Sequence, residues 1–322
     1  MDVRLNYSIN MKLSLAPLQG FTDLVFRRAF AKYIGGIDQF YTPFLVLQNG
    51  DKLKSSHQRE IEPKIEEKLV PQFIGNSLKE FVFFRDYLIS LGYTKMNWNL
   101  GCPFPMLVKK KKGSGLLPYP DMIEEVLSEG LDNRIEVSVK MRIGHDSIEE
   151  LEPVLMVLNK FKLSEIIVHP RLGIQQYKGD VNLDAFEQVL SLSKHPVVYN
   201  GDICSLEDYQ QRIEKFPKLD EMMIGRGLLK DLFLARKIKG DELPSAKERL
   251  DLLEILHGEI YNQYTDYLSG DTQLLSKLKP MWEYFSANFN NERKVYKAIK
   301  KSGGMKKYNA AVAFAFQQGI KE

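Results

Sequence analysis

Cysteine is scarce in this chain of 322 residues, which has only Cys102 and Cys204. Two cysteines cannot build the framework of a disulfide-rich secreted protein, and their spacing lacks the pattern of a zinc site. Long hydrophobic runs are also missing, since none approaches the ~20 residues that cross a bilayer. Residues 1–17 contain no apolar stretch followed by a cleavage site, which argues against secretion. We therefore expect a cytoplasmic protein with no membrane segment and no bound metal.

Charge is nearly balanced over the whole chain, with 45 Lys and Arg against 42 Asp and Glu, but it is unevenly distributed. Four lysines stand in a row at Lys109, Lys110, Lys111 and Lys112. Residues 277–322 hold ten basic side chains against three acidic ones, whereas residues 241–276 hold two against eight. Such a run is either a solvated face or a surface that follows the phosphates of a nucleic acid, and charge alone leaves both interpretations open.

Short apolar segments rich in β-branched and aromatic residues recur through the first 240 residues and predict eight strands. The predicted strands are Lys12–Ala16, Gln39–Thr42, Val70–Ile74, Lys95–Leu100, Glu136–Met141, Glu165–His169, Pro196–Asn200 and Glu221–Gly225. Segments of helical periodicity lie between most of them, and several begin with a predicted N-cap: Ser77, Asp121, Ser147 and Ser205. Because strand and helix alternate eight times, we predict an α/β fold, a (β/α)8 TIM barrel, over residues 1–240.

The strand signal stops near residue 241. From there the spacing of apolar residues predicts helices, for example at 248–256, 274–285 and 293–300. We therefore predict a small C-terminal α-helical bundle domain over residues 241–322.

Polar residues cluster at the carboxyl ends of the predicted strands, where barrel enzymes place their active sites. Six consecutive strands, the third to the eighth, contribute such residues, and core packing alone explains six of them poorly. They are Gln72, Asn99 with Cys102, Lys140 with Arg142, His169 with Arg171, Asn200–Asp202 and Gly225–Gly227. The pattern predicts an active site at this rim of the barrel.

Glycines follow the seventh and eighth strands, at Gly201, Gly225 and Gly227. Glycine lets backbone N–H groups approach a ligand closely, and these loops of a barrel often bind a phosphate. We therefore expect a phosphorylated ligand, and FMN is a frequent occupant of this position. Lys140 would lie near the flavin ring, where a cation stabilises the reduced anion. Gln72 would meet the pyrimidine edge of the flavin, and His169 would contact the ring or the phosphate.

Six sequence blocks, in the same order, resemble the motifs of the tRNA-dihydrouridine synthases. They are 16–23 (APLQGFTD), 99–117 (NLGCP, then Val108 and GSGLL), 140–144 (KMRIG), 169–179 (HPRLGIQQYKG), 200–203 (NGDI) and 224–227 (IGRG). The resemblance covers nearly the whole chain. It implies a barrel that binds FMN and reduces uridines of tRNA to dihydrouridine, with NADPH or NADH as a transient reductant.

The resemblance also implies residue roles. Cys102 would protonate C5 of the uracil whose C6 receives hydride, which suits a thiol with an ordinary pKa of ~8.5. Asn99 and Arg142 would hold the flipped uracil, whereas Cys204 has no such context and is expected to be structural. The matching blocks imply further contacts to FMN, from Ala16, Pro17, Leu18, Asn200, Gly201, Asp202, Gly225 and Arg226. They also imply contacts to the substrate, from Arg171, Gln175 and Tyr177.

In that family the C-terminal helical domain binds the body of the tRNA, and the basic residues after 277 fit this role, including Lys300 and Lys301. The four lysines at 109–112 begin seven residues after Cys102, on what we expect to be a mobile loop facing the RNA. We expect tRNA as the macromolecular partner and a monomeric enzyme. The chain departs from the family pattern at Phe104–Pro105, where smaller polar residues are common.

Two other functions remain open at this point. A small-molecule FMN barrel, like dihydroorotate dehydrogenase or an ene reductase, would share the cofactor contacts. It would need neither a basic helical appendix nor lysines beside the cysteine. A catalytically inactive RNA-binding protein would be expected to have lost Cys102, Lys140 and His169, and all three are present.

Overall fold

A computed structural model describes residues 11–48, 52–62 and 68–321. Within these ranges the chain forms two compact units. We call residues 11–38, 202–218 and 224–321 the terminal unit, and residues 39–201 and 219–223 the central unit. Residues 1–10, which make up most of the segment expected to contain no signal sequence, and Glu322 lie outside the described residues.

The described residues form short strands, most of which join one parallel sheet. They are β1 (Lys12–Leu15), β2 (Gln39–Tyr41), β3 (Leu47–Gln48), β4 (Lys52–Leu53), β5 (Leu69–Val70), β6 (Gln72–Phe73), β7 (Lys95–Leu100), β8 (Glu136–Arg142), β9 (Ile166–His169), β10 (Val197–Asn200) and β11 (Glu221–Ile224). The nine-stranded sheet has the order β5-β2-β1-β11-β10-β9-β8-β7-β6, and the pairings of β2 with β5 and from β6 through β11 are parallel. Strands β3 and β4 form a separate antiparallel pair.

The third predicted strand is divided by Pro71 into β5 and β6. Proline has no N–H for a ladder hydrogen bond, so it is found at strand ends and bends. The Pro71 carbonyl still accepts the N–H of Asn97 at 2.9 Å. β5 pairs with β2, and β6 pairs with β7. The first and the last strand in the sheet order therefore belong to one continuous segment of the chain. The other seven predicted strands coincide with observed ones to within one residue at each end.

Helices follow most of the sheet strands. They are α1 (Leu24–Tyr33), α2 (Ser55–Arg59), α3 (Leu78–Ser90), α4 (Pro105–Val108), α5 (Pro120–Gly130), α6 (Leu151–Leu158), α7 (Leu183–Leu192), α8 (Leu206–Lys215), α9 (Arg226–Lys230) and α10 (Leu234–Lys239). Three predicted N-caps are confirmed, since each side chain accepts a backbone N–H of the first turn: Ser77, Ser147 and Ser205. The predicted cap at Asp121 is wrong. Tyr119 occupies that position because Pro120, whose fixed φ suits a first helical residue, begins the helix earlier.

Strand β7 alternates between two environments. Trp98 packs against Phe73 with parallel rings 6.3 Å apart, and its indole N–H donates to the Gly75 carbonyl at 3.0 Å. Successive side chains of a strand point to opposite faces. Asn97 and Asn99 therefore share the face opposite Trp98, and this alternation brings both amides into the site described below.

Four further helices complete the terminal unit: α11 (Ala246–Thr265), α12 (Asp271–Phe285), α13 (Glu292–Lys301) and α14 (Met305–Gln317). Tyr308 accepts the Trp282 indole N–H at 3.0 Å and lies 2.8 Å from His257 Nε2. Burial lowers the pKa of His257 to about 4, so this core histidine is neutral. None of the helices described by the structure is long and apolar enough to cross a membrane. The predicted fold class, a parallel (β/α)8 barrel followed by a helical segment, is confirmed.

Candidate active site

Buried side chains form a hydrogen-bond chain across β6, β7 and β8 of the central unit. Asn97 Nδ2 donates to Ser138 Oγ at 2.8 Å, and Asn97 Oδ1 accepts from Gln72 Nε2 at 2.8 Å. Gln72 Oε1 in turn accepts from Asn99 Nδ2 at 2.7 Å. All four residues are buried. The predicted flavin contact Gln72 therefore has both of its polar atoms engaged by neighbouring amides.

Asn99 connects this chain to the turn that carries the cysteine. Its Oδ1 accepts the backbone N–H groups of Gly101 at 3.0 Å and Cys102 at 2.9 Å. Backbone N–H groups can only donate, so this end of the chain determines which way every amide points. The arrangement fixes the Gly-Cys-Pro turn at the carboxyl end of β7, and Asn99 thereby positions Cys102.

The Cys102 thiol sits in a partly buried position beside two cations. Burial raises its pKa, against the opposing effects of a backbone hydrogen bond from Phe104 and of the charges on Arg142 and Lys140. The thiol is therefore protonated at neutral pH. Because the same cations favour the thiolate, they would stabilise the charge that develops if the thiol gives up its proton.

Lys140, two residues before the end of β8, carries the most perturbed ammonium group of the site. Desolvation, followed by repulsion from Arg142, lowers the pKa of Lys140 to about 7, with only the Cys102 thiol acting in the other direction. Among the described residues no carboxylate pairs with this ammonium. A desolvated cation without a protein counter-charge is suited to hold an anionic group of a ligand.

His169 and Arg171 form a pair at the end of β9. Arg171 Nη1 donates to His169 Nε2 at 3.1 Å, and its Nε and Nη2 donate to the Gly179 carbonyl at 3.2 and 2.6 Å. An arginine cannot accept a hydrogen bond, so Nε2 of His169 carries the lone pair and Nδ1 carries the proton. Arg171 thus fixes the tautomer of His169 and the path of the following loop.

Arg142 ties together the loops that follow β7 and β9. Its guanidinium donates to the carbonyls of Gly101 at 3.0 Å, Leu172 at 2.8 Å and Gln176 at 2.7 Å. Its carbon Cζ also lies 5.6 Å from the centre of the Tyr177 ring. The predicted substrate ligand Arg142 therefore organises both loops, and Tyr177, which is half exposed, stands at the edge of this arrangement. Gln175, predicted beside it, caps the loop by accepting the Leu172 N–H at 2.7 Å.

A second connection holds the cysteine loop in place. Ser114 Oγ donates to the Cys102 carbonyl at 3.2 Å and lies 3.0 Å from His145 Nδ1. Gly173 packs against both side chains, since a Cβ there would come within 2.2 Å of His145 Nδ1 and 2.7 Å of Ser114 Oγ. The loops after β7, β8 and β9 therefore meet at Ser114, His145 and Gly173.

The four lysines after the cysteine occupy different environments. Lys112 forms a mostly buried ion pair with Glu80 of α3. The Lys111 ammonium lies 3.8 Å from the centre of the Tyr119 ring. The Lys110 carbonyl accepts from Asn76 Nδ2 at 2.9 Å, whereas the side chains of Lys109 and Lys110 are exposed. Lys112 thus contributes to loop structure, and contact of these lysines with RNA stays a prediction.

The remaining predicted cofactor residues of the central unit lie at the end of β10. Asn200 Nδ2 donates to the Met223 carbonyl at 2.7 Å. A Cβ on Gly201 would come within 3.1 Å of Val181 and 3.3 Å of His169. Glycine at 201 therefore keeps the space beside His169 open.

The predicted phosphate contacts of the terminal unit surround the start of α9. Gly227 must be glycine, because a Cβ would lie 1.9 Å from the Ile203 carbonyl oxygen. Arg226 Nη2 donates to Asp202 Oδ1 at 2.8 Å, which orients the guanidinium. Beside Gly225, the backbone of Ala16 donates to the Ile224 carbonyl at 2.9 Å. The segment from Ala16 through Pro17 to Leu18 is closed by Thr22, whose hydroxyl accepts the Leu18 N–H at 2.8 Å.

Helix α13 of the terminal unit presents a basic face. Val295 and Ile299 are buried, and the exposed side chains of the helix are mostly cationic. These cations, which we call the α13 basic face, are Arg293, Lys294, Lys297, Lys300 and Lys301. Lys300 and Lys301, singled out from the sequence, stand at its C-terminal end.

Sequence reasoning missed Asn97, Ser138, Ser114 and His145. The alternation of β7 contains a usable signal, because Asn97 lies two residues before Asn99 and so must share its face. Ser138 is in register with Asn97 on β8. No comparable signal marks Ser114 or His145, because their contact joins two irregular loops.

Replacement of the Asn97 side chain tests whether the buried chain of hydrogen bonds positions Cys102. In Asn97→Leu, the Gln72 and Ser138 groups lose a partner inside the core, which costs about 1–3 kcal/mol of unfolding free energy. We also expect faster alkylation of Cys102 by iodoacetamide, because the Gly-Cys-Pro turn loses its support. Mass spectrometry of both cysteines measures this, with Cys204 as the internal control. An unchanged ratio of Cys102 to Cys204 alkylation in a folded variant would contradict this positioning role.

The fold and site define an enzyme of the parallel-barrel class. The family model described as "Dihydrouridine synthase (Dus)" matches residues 14–320. The chain therefore belongs to the dihydrouridine synthase family, whose members are FMN-dependent oxidoreductases, and the predicted family and enzyme class are confirmed. In the part of the chain that the structure describes, no group of His, Cys, Asp or Glu side chains could hold a metal ion.

Individual proteins give the same picture. The chain is 28% identical over 258 residues to a probable tRNA-dihydrouridine synthase of Staphylococcus aureus (strain COL), covering 78% of this chain and 77% of that protein. It is 27% identical over 239 residues to the tRNA-dihydrouridine(16) synthase of Aquipseudomonas alcaligenes, covering 71% and 75%. Among solved structures, the old yellow enzyme of Trypanosoma cruzi aligns with a TM-score of 0.52 at 11% identity, covering 80% of this chain and 94% of that one. This likeness supports the barrel fold alone.

Proposed function

We propose that this protein is a tRNA-dihydrouridine synthase, which uses FMN to reduce the 5,6 double bond of specific uridines in tRNA. The observation that carries the proposal is the pairing of a protonated Cys102 thiol with a desolvated Lys140 that lacks a carboxylate partner among the described residues. The first group is a proton donor and the second is a receptor for an anion. Family membership and the tRNA-dihydrouridine synthases among the relatives supply the substrate class.

The residues present fit a flavin. Lys140 would face the ring, whose reduced form is an anion that compensates the desolvated ammonium. Gln72 would meet the pyrimidine edge through the second amide hydrogen and the second carbonyl lone pair, which its two amide partners leave unused. His169 would offer a defined tautomer. Asn200 and Gly201 would border the same ligand. FMN, when bound and reduced, would supply the hydride, and NADPH or NADH would be the transient reductant.

Residues of the terminal unit would bind the phosphate of the cofactor. Gly225 and Arg226 precede and begin α9, and the ion pair with Asp202 holds the guanidinium in place. The segment Ala16–Leu18 would line the ligand beside Gly225. These assignments follow the matching sequence blocks and agree with the close backbone packing at Gly227, where a Cβ would lie 1.9 Å from the Ile203 carbonyl oxygen.

The protein's own chemistry is the delivery of one proton. Cys102 gives its thiol proton to C5 of the uracil whose C6 receives hydride, so the 5,6 bond becomes saturated and the sulfur is left as a thiolate. Arg142 and Lys140 stabilise that thiolate, since both charges favour it. Asn99 holds the cysteine turn, and Arg142 holds the two loops that would enclose the uracil. Arg171, Gln175 and Tyr177 would shape the RNA side of the site.

Direct evidence for the cofactor and product tests the proposal. The purified protein should be yellow, should release FMN on denaturation, and should produce dihydrouridine in tRNA when NADPH is added. Mapping of dihydrouridine in total RNA from a strain without the gene should show loss at defined positions. A protein that takes up FMN but reduces only small molecules would instead support a small-molecule oxidoreductase. A colourless protein that does not take up FMN would contradict the cofactor assignment.

The α13 basic face is expected to contact phosphates of the tRNA. Each phosphate contact contributes about −0.7 to −0.9 to the slope of log K against log salt. Lys300→Ala/Lys301→Ala should therefore flatten this slope by roughly one to two units and raise KM for tRNA, as measured by binding titrations at several salt concentrations. The matched control is Lys162→Ala/Lys194→Ala. These exposed lysines precede β9 and β10, at the amino ends of the strands, whereas the predicted active site lies at the carboxyl ends. Equal slopes for the two variants would show that the α13 lysines are merely solvated.

A further inference from the structure

Exposed apolar side chains are concentrated on two loops of the central unit. Among the described residues, ten large hydrophobic side chains are exposed, and five of them lie on the loops after β7 and β9. These five, which we call the loop apolar cluster, are Phe104, Met106, Tyr119, Ile174 and Tyr177. Scattered exposed hydrophobic residues are ordinary, but a concentration on neighbouring loops marks an interaction surface.

Phe104 and Met106 are the members nearest to the cysteine along the chain. Phe104 is 50% exposed and Met106 66% exposed, and helix α4, which they begin, has no buried residue. Phe104 follows the proposed proton donor Cys102 by two residues in the chain. Sequence already marked this position as unusual for the family.

These side chains are exposed although the loop that carries them is held by several hydrogen bonds and an ion pair. The Ser114 N–H and hydroxyl both donate to the Cys102 carbonyl, at 3.0 and 3.2 Å, and Lys112 pairs with Glu80. Arg142 joins the Gly101 carbonyl before Phe104 to the Gln176 carbonyl before Tyr177. The backbone thus holds Phe104 and Tyr177 on two loops that share one guanidinium.

The cations near the loop apolar cluster in the chain indicate the kind of partner. Lys109 and Lys110, three and four residues after Met106, are exposed, and the Lys111 ammonium lies 3.8 Å from the centre of the Tyr119 ring. Aromatic side chains interleaved with cations are the pattern that binds single-stranded nucleic acids, since bases stack on the rings while phosphates meet the lysines. A protein partner fits this cluster less well, because lysine is depleted at protein–protein interfaces.

We propose that Phe104 and Met106 form a stacking surface for the unpaired bases that flank the target uridine. Phe104 would occupy the stack beside the position that the uridine leaves when it turns into the site. Turning a base out costs a few kcal/mol, least in unpaired RNA, and a stacked aromatic ring offsets part of that cost. The inference rests on the proposed function, because it requires an RNA uridine as substrate. It adds a role in base stacking for two exposed side chains that the proposed proton transfer does not use.

Replacement of the Phe104 ring tests the stacking surface by its effect on turnover of tRNA. Base stacking is worth about 1–3 kcal/mol, or roughly 5- to 150-fold, so Phe104→Ala should lower kcat/KM for tRNA by a factor in that range. Phe104→Tyr should retain most of the activity, because a phenol ring also stacks. Met106→Ala should cause a smaller loss. NADPH oxidation with a small artificial acceptor should stay the same in all three variants.

The matched control is Met156→Ala, because Met156 is 63% exposed but belongs to α6 and to neither loop. A second measurement does not depend on turnover. A single-stranded RNA oligonucleotide with 2-aminopurine beside a uridine should change fluorescence on binding wild type and Met156→Ala, and much less on binding Phe104→Ala. A duplex of the same sequence should bind more weakly.

The outcomes separate this inference from the proposed function. If wild type forms no dihydrouridine but the fluorescence change still requires Phe104, the RNA surface stands and the enzymatic proposal fails. If wild type is active and Phe104→Ala behaves like Met156→Ala in both assays, the stacking surface is refuted. Loss of a dimer in Phe104→Ala, by sedimentation and with unchanged tRNA kinetics, would assign the cluster to a second copy of the chain and would equally overturn the proposal.

Discussion

Cys102→Ala is expected to lower kcat for uridine reduction by about 10²–10⁴-fold, the usual effect of removing a positioned general acid. FMN content and tRNA affinity should stay near those of wild type, because the alanine retains the backbone N–H that Asn99 holds. Single-turnover reduction of tRNA, with flavin content measured from the absorbance spectrum, tests both expectations. Loss of the thiol proton at alkaline pH should lower the wild-type rate, because burial raises the pKa of Cys102.

Cys204→Ala is the matched control for this experiment. Cys204 is also a half-buried thiol whose pKa is raised by burial, but it lies in the loop before α8, where its backbone N–H donates to Asp208 in the first turn of that helix. The variant should therefore retain activity. Equal activities for the two alanine variants would move the proton donor to another group. Loss of flavin in Cys102→Ala would assign the cysteine a structural role.

Lys140→Met is expected to lower turnover by roughly 10²–10³-fold, the range seen when one preorganised electrostatic contact is removed. The same substitution should stabilise the flavin-free protein, because it replaces a desolvated ammonium by an apolar chain of similar length. Low activity and higher stability together would distinguish a site built for a ligand from a residue retained for folding.

The stability difference between wild type and Lys140→Met is expected to depend on pH. The pKa of Lys140 is about 7 in the folded state and near the ordinary lysine value of 10.5 when unfolded, so between these values the unfolded chain binds more protons. This group therefore makes the wild-type free energy of unfolding rise with pH from about 7 to 10.5. Lys140→Met should lack that rise, and its advantage over wild type should be largest below pH 7 and should shrink as the pH approaches 10.5.

Denaturant titrations of the flavin-free proteins at several pH values measure the difference. Lys95→Met is the control, because Lys95 is exposed at the start of β7 beside Glu136. That variant should keep the wild-type pH dependence. An identical slope for wild type and Lys140→Met would contradict the depressed pKa and, with it, the reason for expecting an anionic ligand.

The positions of the strands were accessible from sequence because each strand depends on a local pattern. Seven predicted strands agree with the observed ones because runs of β-branched residues bounded by turn formers are local signals. The exceptions have local causes as well: Pro71 divides a strand, and Pro120 begins α5 one residue before Asp121. Family motifs then sufficed for the enzyme class, because six blocks in order are improbable by chance.

The sequence by itself thus determined the parallel barrel, the polar rim and the family. Only the tertiary structure decided what each polar group does. Gln72 and Asn99 are engaged in a chain with Asn97, Arg142 donates to carbonyls of two loops, and Lys112 pairs with Glu80 rather than facing solvent. The physical reason is that periodicity shows which face a side chain points to. The choice of hydrogen-bond partner depends on distances of a few tenths of an ångström between segments far apart in the chain, and those arise only when the strands and loops pack.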